Sequence, residues 1–194
     1  TAAGLGRRQG LLAFGAIGFA DDYLKIFKQR STGVRARTKL LGQAAVALSF
    51  AWMAAHFPDS DGLTPASHAV SFLRNTGLVL PTALLMLWIW FLVTATSNAV
   101  NLTDGLDGLA IGPVMINAGT YAILAYLSGL VLFGESVADY LFIPQLESAS
   151  ELSVFCGAMI GAGFGFLWFN TYPAQVFMGD VGSLALGAAL GTVA

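Results

Sequence analysis

The chain is expected to fold as an all-α, polytopic membrane helical bundle. It would form one transmembrane domain over 1–194, with about four complete spans and two partial ones. Three observations carry that expectation. Only 10% of residues are charged and 56% are hydrophobic, with mean hydropathy +0.72, whereas a soluble domain is about 25% charged. Apolar runs close to the roughly 20 residues that cross the hydrocarbon core recur along the chain. The basic residues gather in one interval between such runs.

Taken in order, Gly10–Ala20 is an 11-residue apolar run behind Arg7-Arg8. It is too short to cross and reads as part of a span, with a re-entrant segment as the less favoured alternative. Leu40–Phe57, Leu78–Thr96, Leu109–Phe133 and Leu152–Phe169 read as full spans. Val181–Ala194 is apolar for 14 residues and reads as a second partial span. Further spans are therefore expected before and after the chain. Thr1–Gln9 lacks the apolar core of a cleavable signal peptide.

Lys25, Lys28, Arg30, Arg35, Arg37 and Lys39 place six of the nine Lys/Arg in one loop, while 134–151 has none and 58–77 only Arg74. The positive-inside rule puts that loop in the cytoplasm. Counting spans from there puts 97–108 and 170–180 on the same side. Arg7-Arg8 is the misfit, falling on the outer side. The net charge of −2 gives no basic surplus that would suggest nucleic acid. The single Cys156 excludes an intrachain disulfide and reads as a small buried hydrophobe. Gly157, Gly161 and Gly165, and likewise Gly187 and Gly191, have the four-residue spacing of close helix packing. Trp52, Trp88, Trp90 and Trp168 read as packing or interface anchors.

Five of the eleven acids sit at the mouths of these runs. Carboxylates placed there are costly unless they bind something. In FADDYLK (19–25), Asp21 and Asp22 repel each other, and Lys25 lies three residues past Asp22. That is either a helix-terminus ion pair or a site for a divalent cation or anionic head group, with Lys39 adding charge. In NLTDGLDGLA (101–110), two Asp-Gly pairs make a tight turn, and Asn101 and Thr103 can cap the next helix. The spacing is neither an EF-hand nor a Walker loop. In FNTYPAQVFMGDVGSLALG (169–187), Pro173 ends a helix near Asn170, and Asp180 opens the next one, as a cap or at an anion site. Phe177 reads as an interface anchor or a ring-stacking side chain.

In order and spacing, these three blocks resemble the signatures of the phospho-N-acetylmuramoyl-pentapeptide transferases, also called translocase I. These belong to the polyprenyl-phosphate N-acetylhexosamine-1-phosphate transferases. The resemblance runs from about Gly10 to Ala194. It implies a ten-helix bacterial inner-membrane enzyme of peptidoglycan synthesis with its active site on the cytoplasmic face. Such enzymes pass phospho-N-acetylmuramoyl-pentapeptide from UDP to undecaprenyl phosphate, giving lipid I and UMP, and require Mg2+. By motif, Asp180 would be the metal ligand, and Asp21 and Asp22 the catalytic pair. Asn101, Asp104 and Asp107 would line the nucleotide-sugar site, with Asn170 nearby and Phe177 stacking on uracil. Lys25 and Lys39 would contact phosphates. Membrane lipid is an implied partner, and a homodimer is compatible with it. The family's two earlier spans and its later histidine-rich loop lie outside this chain; His56 and His68 are isolated. The nearest rival is the sibling transferase of N-acetylglucosamine-1-phosphate. An ion-coupled transporter is the rival from another class, and it would need charges near span midpoints.

Overall fold

The computed structural model describes residues 2–29, 32–58, 64–71, 75–143 and 149–194. Arg30 and Arg74 therefore lie outside the described residues. The long helices are α1 (Ala2–Ile26), α2 (Ala36–His56), α3 (Thr82–Thr103), α4 (Ile111–Ser128), α6 (Ala149–Asn170) and α7 (Gly179–Gly191). A two-stranded antiparallel hairpin, β1 (Ala69–Ser71) and β2 (Asn75–Val79), joins α2 to α3. A second hairpin, β3 (Val131–Leu132) and β4 (Glu135–Ser136), with the short α5 (Val137–Leu141), follows α4.

Among the described residues, three helices are long and apolar enough to cross a membrane: Thr82–Thr103, Ile111–Ser128 and Glu151–Asn170. The chain is thus a multi-pass helical membrane protein. With 21 residues α2 has the length to cross, but it carries Arg37, Lys39 and Gln43. The expectation for the first run needs correction. Where 11 residues were read as a partial span, α1 is one helix of 25 residues that continues through both Arg7-Arg8 and Asp21-Asp22. Charges interrupt an apolar run, but Arg, Gln and Lys are good helix formers and do not interrupt a helix. The α3 helix likewise continues past Thr96 to Thr103, and α4 stops at Ser128, short of Phe133.

Two apolar clusters build the interior. One joins Phe14 of α1, Ala47, Phe50 and Ala51 of α2, Leu85, Ile89 and Val93 of α3, and Leu184 and Ala188 of α7. The other joins Ile111, Val114 and Ala118 of α4, Cys156 and Met159 of α6, and Ala189 and Leu190 of α7. Among the described residues, only α7 contributes buried side chains to both. Cys156 is the buried small side chain expected of it.

Glycine makes room for α7. A Cβ on Gly187 would lie 2.6 Å from Ser97 Cα of α3, and one on Gly191 2.8 Å from Val93 Cα. The close packing expected at this pair is present. The expectation for Gly157, Gly161 and Gly165 is not met, because a Cβ on any of them meets nothing within 4 Å. The α6 glycine that packs closely is instead Gly163, where a Cβ would lie 2.6 Å from Met115 of α4.

Candidate active site

The three motif loops meet at one end of the bundle, and the two carboxylates of the Asp-Asp pair face different partners. Asp21 is buried, with 2% of its surface exposed. Its Oδ2 pairs with Lys25 Nζ at 2.5 Å, and its Oδ1 accepts the Val34 N–H at 2.7 Å. The chain reaches that carboxylate through Gly33, at φ +55°, where a Cβ would come within 2.6 Å of Oδ1. Asp22 turns to the other side, and its Oδ2 accepts the Val181 N–H of α7 at 3.0 Å. Gly179, at φ +61°, gives it the same kind of clearance. Glycine alone adopts such angles without cost. The expected pairing of Lys25 with Asp22 is corrected: Lys25 pairs with Asp21, while Asp22 is engaged by α7.

Asp180 is the point where the motifs converge. Its Oδ2 accepts from Lys39 Nζ at 2.7 Å and Lys25 Nζ at 3.2 Å, and its Oδ1 accepts from Asn101 Nδ2 at 2.6 Å. Asn101 also donates to Ser183 Oγ at 2.8 Å. Asp180 stands in the first turn of α7 but is not its cap: the N-cap position is Met178, which makes no side-chain capping bond. Asp22 supplies that acceptor from α1. Burial opposes ionisation of Asp180, but contacts from Asp21, Lys39, Asn101 and Lys25 outweigh it and hold its carboxyl well below the usual range. Lys25 is raised, chiefly by its hydrogen bond to Asp21.

The remaining motif residues brace the loops. Asp107 Oδ2 accepts the Ala174 N–H at 3.0 Å. Asn170 is buried; its Oδ1 accepts the Gly108 N–H at 3.0 Å, and its Nδ2 donates to the Val176 carbonyl at 2.9 Å. The turn after α3 and the loop before α7 are thus stitched together. Asp104 senses the cluster through space. Burial, then the charges of Asp180 and Asp22, push its carboxyl up. Thr103 donates to the Ala99 carbonyl within α3, and α4 has no side-chain cap, so the expected capping by Asn101 and Thr103 is absent. Phe177 is 73% exposed and lines an open cavity of about 350 Å³ with Asp22, Tyr23, Phe27 and Met178.

Asp21, Asp22 and Asp180 present ligand oxygens all within 4.8 Å of one another. Such a set of hard oxygen donors fits Mg2+. The three spans hold no Asp, Glu, Lys or Arg at their midpoints, which removes the support for a charged transport pathway through them. One polar residue escaped the sequence reading. Gln43, wholly buried in α2, accepts from Asn98 of α3 at 2.8 Å. Its signal was present as a lone amide inside the run Leu40–Phe57.

The sequence matches the family described as glycosyl transferase family 4 over residues 8–194. A curated relative from Sorangium cellulosum (strain So ce56), described as a phospho-N-acetylmuramoyl-pentapeptide-transferase, is 54% identical over 188 residues. That alignment covers 93% of this chain and 50% of the relative, so the chain spans about half the length of the protein it matches. The motif order, the helical membrane architecture and the family match lead to one conclusion: the chain belongs to glycosyl transferase family 4.

Proposed function

We propose that this chain carries the catalytic centre of an enzyme that transfers phospho-N-acetylmuramoyl-pentapeptide from UDP to undecaprenyl phosphate, forming lipid I and UMP in bacterial peptidoglycan synthesis. The observation that supports it most is the convergence of three carboxylates, two lysines and Asn101 from separate motif loops at one end of the bundle. On this reading that end faces the cytoplasm.

The chemistry sets the demand on the site. A phosphate monoester has a second pKa near 6, so the lipid phosphate is mostly dianionic at neutral pH. One of its oxygens attacks the phosphorus bonded to the sugar. The bond from that phosphorus to the oxygen bridging it to the uridine phosphate breaks, and UMP leaves with the electron pair. Two dianions enter and two dianions leave, so no proton must be abstracted. The larger barrier is repulsion between the two anions, which positioning and positive charge address.

Each side chain has a place in that account. Asp180, with Asp22 and Asp21 beside it, would hold Mg2+, which bound there would neutralise the diphosphate and polarise its oxygens. Lys25 and Lys39 neutralise Asp180 in the structure described and are placed to pass to incoming phosphate oxygens. Asn101 orients Asp180. Asp104 and Asp107 line the nucleotide-sugar side, Asp107 and Asn170 by keeping the two loops together. Phe177 offers its exposed face to the uracil ring.

UMP release by the intact protein, given UDP-N-acetylmuramoyl-pentapeptide and undecaprenyl phosphate, tests the reading. Release that depends on both substrates is expected. Release only from UDP-N-acetylglucosamine would move the protein to the sibling activity. Robust UMP exchange without lipid would replace direct attack by a phospho-aspartate route.

A further inference from the structure

We propose that Gln43 is a positioning residue: through Asn98 it sets the Lys39 and Asn101 side chains on Asp180. Gln43 lies one turn past Lys39 on α2, and Asn98 lies three residues before Asn101 on α3. Residues three and four apart share a helix face. The two helices therefore form a ladder. Its lower rung is the Asn98 Nδ2 to Gln43 Oε1 bond at 2.8 Å. Its upper rung is Lys39 Nζ to Asp180 Oδ2 at 2.7 Å and Asn101 Nδ2 to Asp180 Oδ1 at 2.6 Å. A slide or rotation of α2 against α3 at the lower rung displaces Lys39 relative to Asn101 at the upper one.

The lower rung is held at a loss. Gln43 is 0% exposed, yet its Nε2 has no hydrogen-bond partner among the described residues, and the same is true of the buried Thr94 Oγ1. Unpaired buried polar atoms destabilise a fold. A methionine of the same length would fill the site without that penalty. Asn98 would keep one of its two Nδ2 bonds, that to the Thr94 carbonyl of its own helix at 2.8 Å, and it is only partly buried. Packing alone therefore favours an apolar side chain at 43, and what the glutamine adds is the tie between α2 and α3 beneath the site.

The activity arm of the test rests on the transferase reading; a second arm does not. In the intact protein in lipid nanodiscs, Gln43→Met is expected to keep or raise the thermal midpoint. Its kcat for UMP release should fall on the order of ten- to a hundredfold, with KM for the nucleotide sugar changed less. The exchange Gln43→Asn with Asn98→Gln should recover most of the loss. Wild-type kcat in Gln43→Met overturns the proposal, as does a loss that follows a lowered midpoint or that the exchange does not restore. The second arm is amine acylation read by mass spectrometry. Lys39 should react several-fold faster in Gln43→Met, measured against Lys28 as the internal standard. Should wild type release no UMP from any UDP-sugar, the transferase reading fails, and the Lys39 rate still decides: an unchanged rate overturns the positioning role.

Discussion

The two ends of the bundle are held by different kinds of bond. At the motif end, side chains reach backbone far away in sequence: Asp22 to Val181, Asn170 to Gly108, Asp107 to Ala174. At the opposite end the described loops rest largely on bonds between residues at most twelve apart, such as those between Leu80 and His68 and from Val137 N–H to the Leu130 carbonyl. There Phe133, Tyr140 and Phe142 stand exposed. Long-range ties fix the positions of Asp22, Asp107 and Asp180, while local ties fix only the shape of their own hairpin. The first arrangement can hold a reaction geometry; the second has only to close a connection.

Substitutions can break or sharpen that contrast. The largest effect is expected at Asp180, where four side chains converge. Asp180→Asn should lower kcat by about 10²- to 10³-fold, as removal of a preorganised charged group does. It should cost more than Asp21→Asn, whose carboxylate holds Val34 and Lys25. Rates measured in the reverse order would shift the weight of catalysis to the Asp-Asp pair. Next comes the packing that places Asp180. Gly187→Ala forces a methyl into the α3 backbone and should cost about 1–3 kcal/mol by overpacking, read as a lower thermal midpoint. Gly161→Ala, which meets open space, should be neutral, and a loss there would place another helix against that face.

Smaller still is Asp104. Its folded pKa is raised, so this carboxylate costs stability as pH rises from its unfolded value through its folded one, and the cost is absent at more acid pH. Asp104→Asn should therefore stabilise the fold at neutral pH by about 0.5 kcal/mol or less, read as a slightly higher thermal midpoint, with the advantage vanishing in acid. A benefit that persists in acid would mean that charge is not the cause. Smallest of all is Phe133→Ser at the far end. UMP release should stay at wild-type level, and a large loss would join the two ends after all.

Much of this was legible in the sequence because lipid and water select residues so differently. Apolar runs located α3, α4 and α6 to within several residues, and parity counting put the motifs at one end. The boundaries failed where polarity and helicity diverge: Ser97–Thr103 is polar yet helical, and so are Arg7 and Arg8. The exposed hairpins carry no burial pattern that would announce them. Within the site, the residue types were readable, but their partners were not. Whether Lys25 meets Asp21 or Asp22 depends on how α7 sits against α1, a tertiary fact. Spacing alone also could not separate Gly187, pressed on a backbone, from Gly161, which faces open space.

The helix that carries Asp180 arrives late. Asp22 and Val181, bonded in the finished protein, are 159 residues apart along the chain. At a synthesis rate of about 5–20 residues per second, the Asp-Asp pair waits roughly ten to thirty seconds for its counterpart. Because α7 contributes to both apolar clusters, its insertion between α1 and α3 completes the core and assembles the charged cluster together. A nascent chain stalled before Gly179 would already have the three helices α3, α4 and α6, with Asp22 and Asn101 still lacking the partners that α7 supplies.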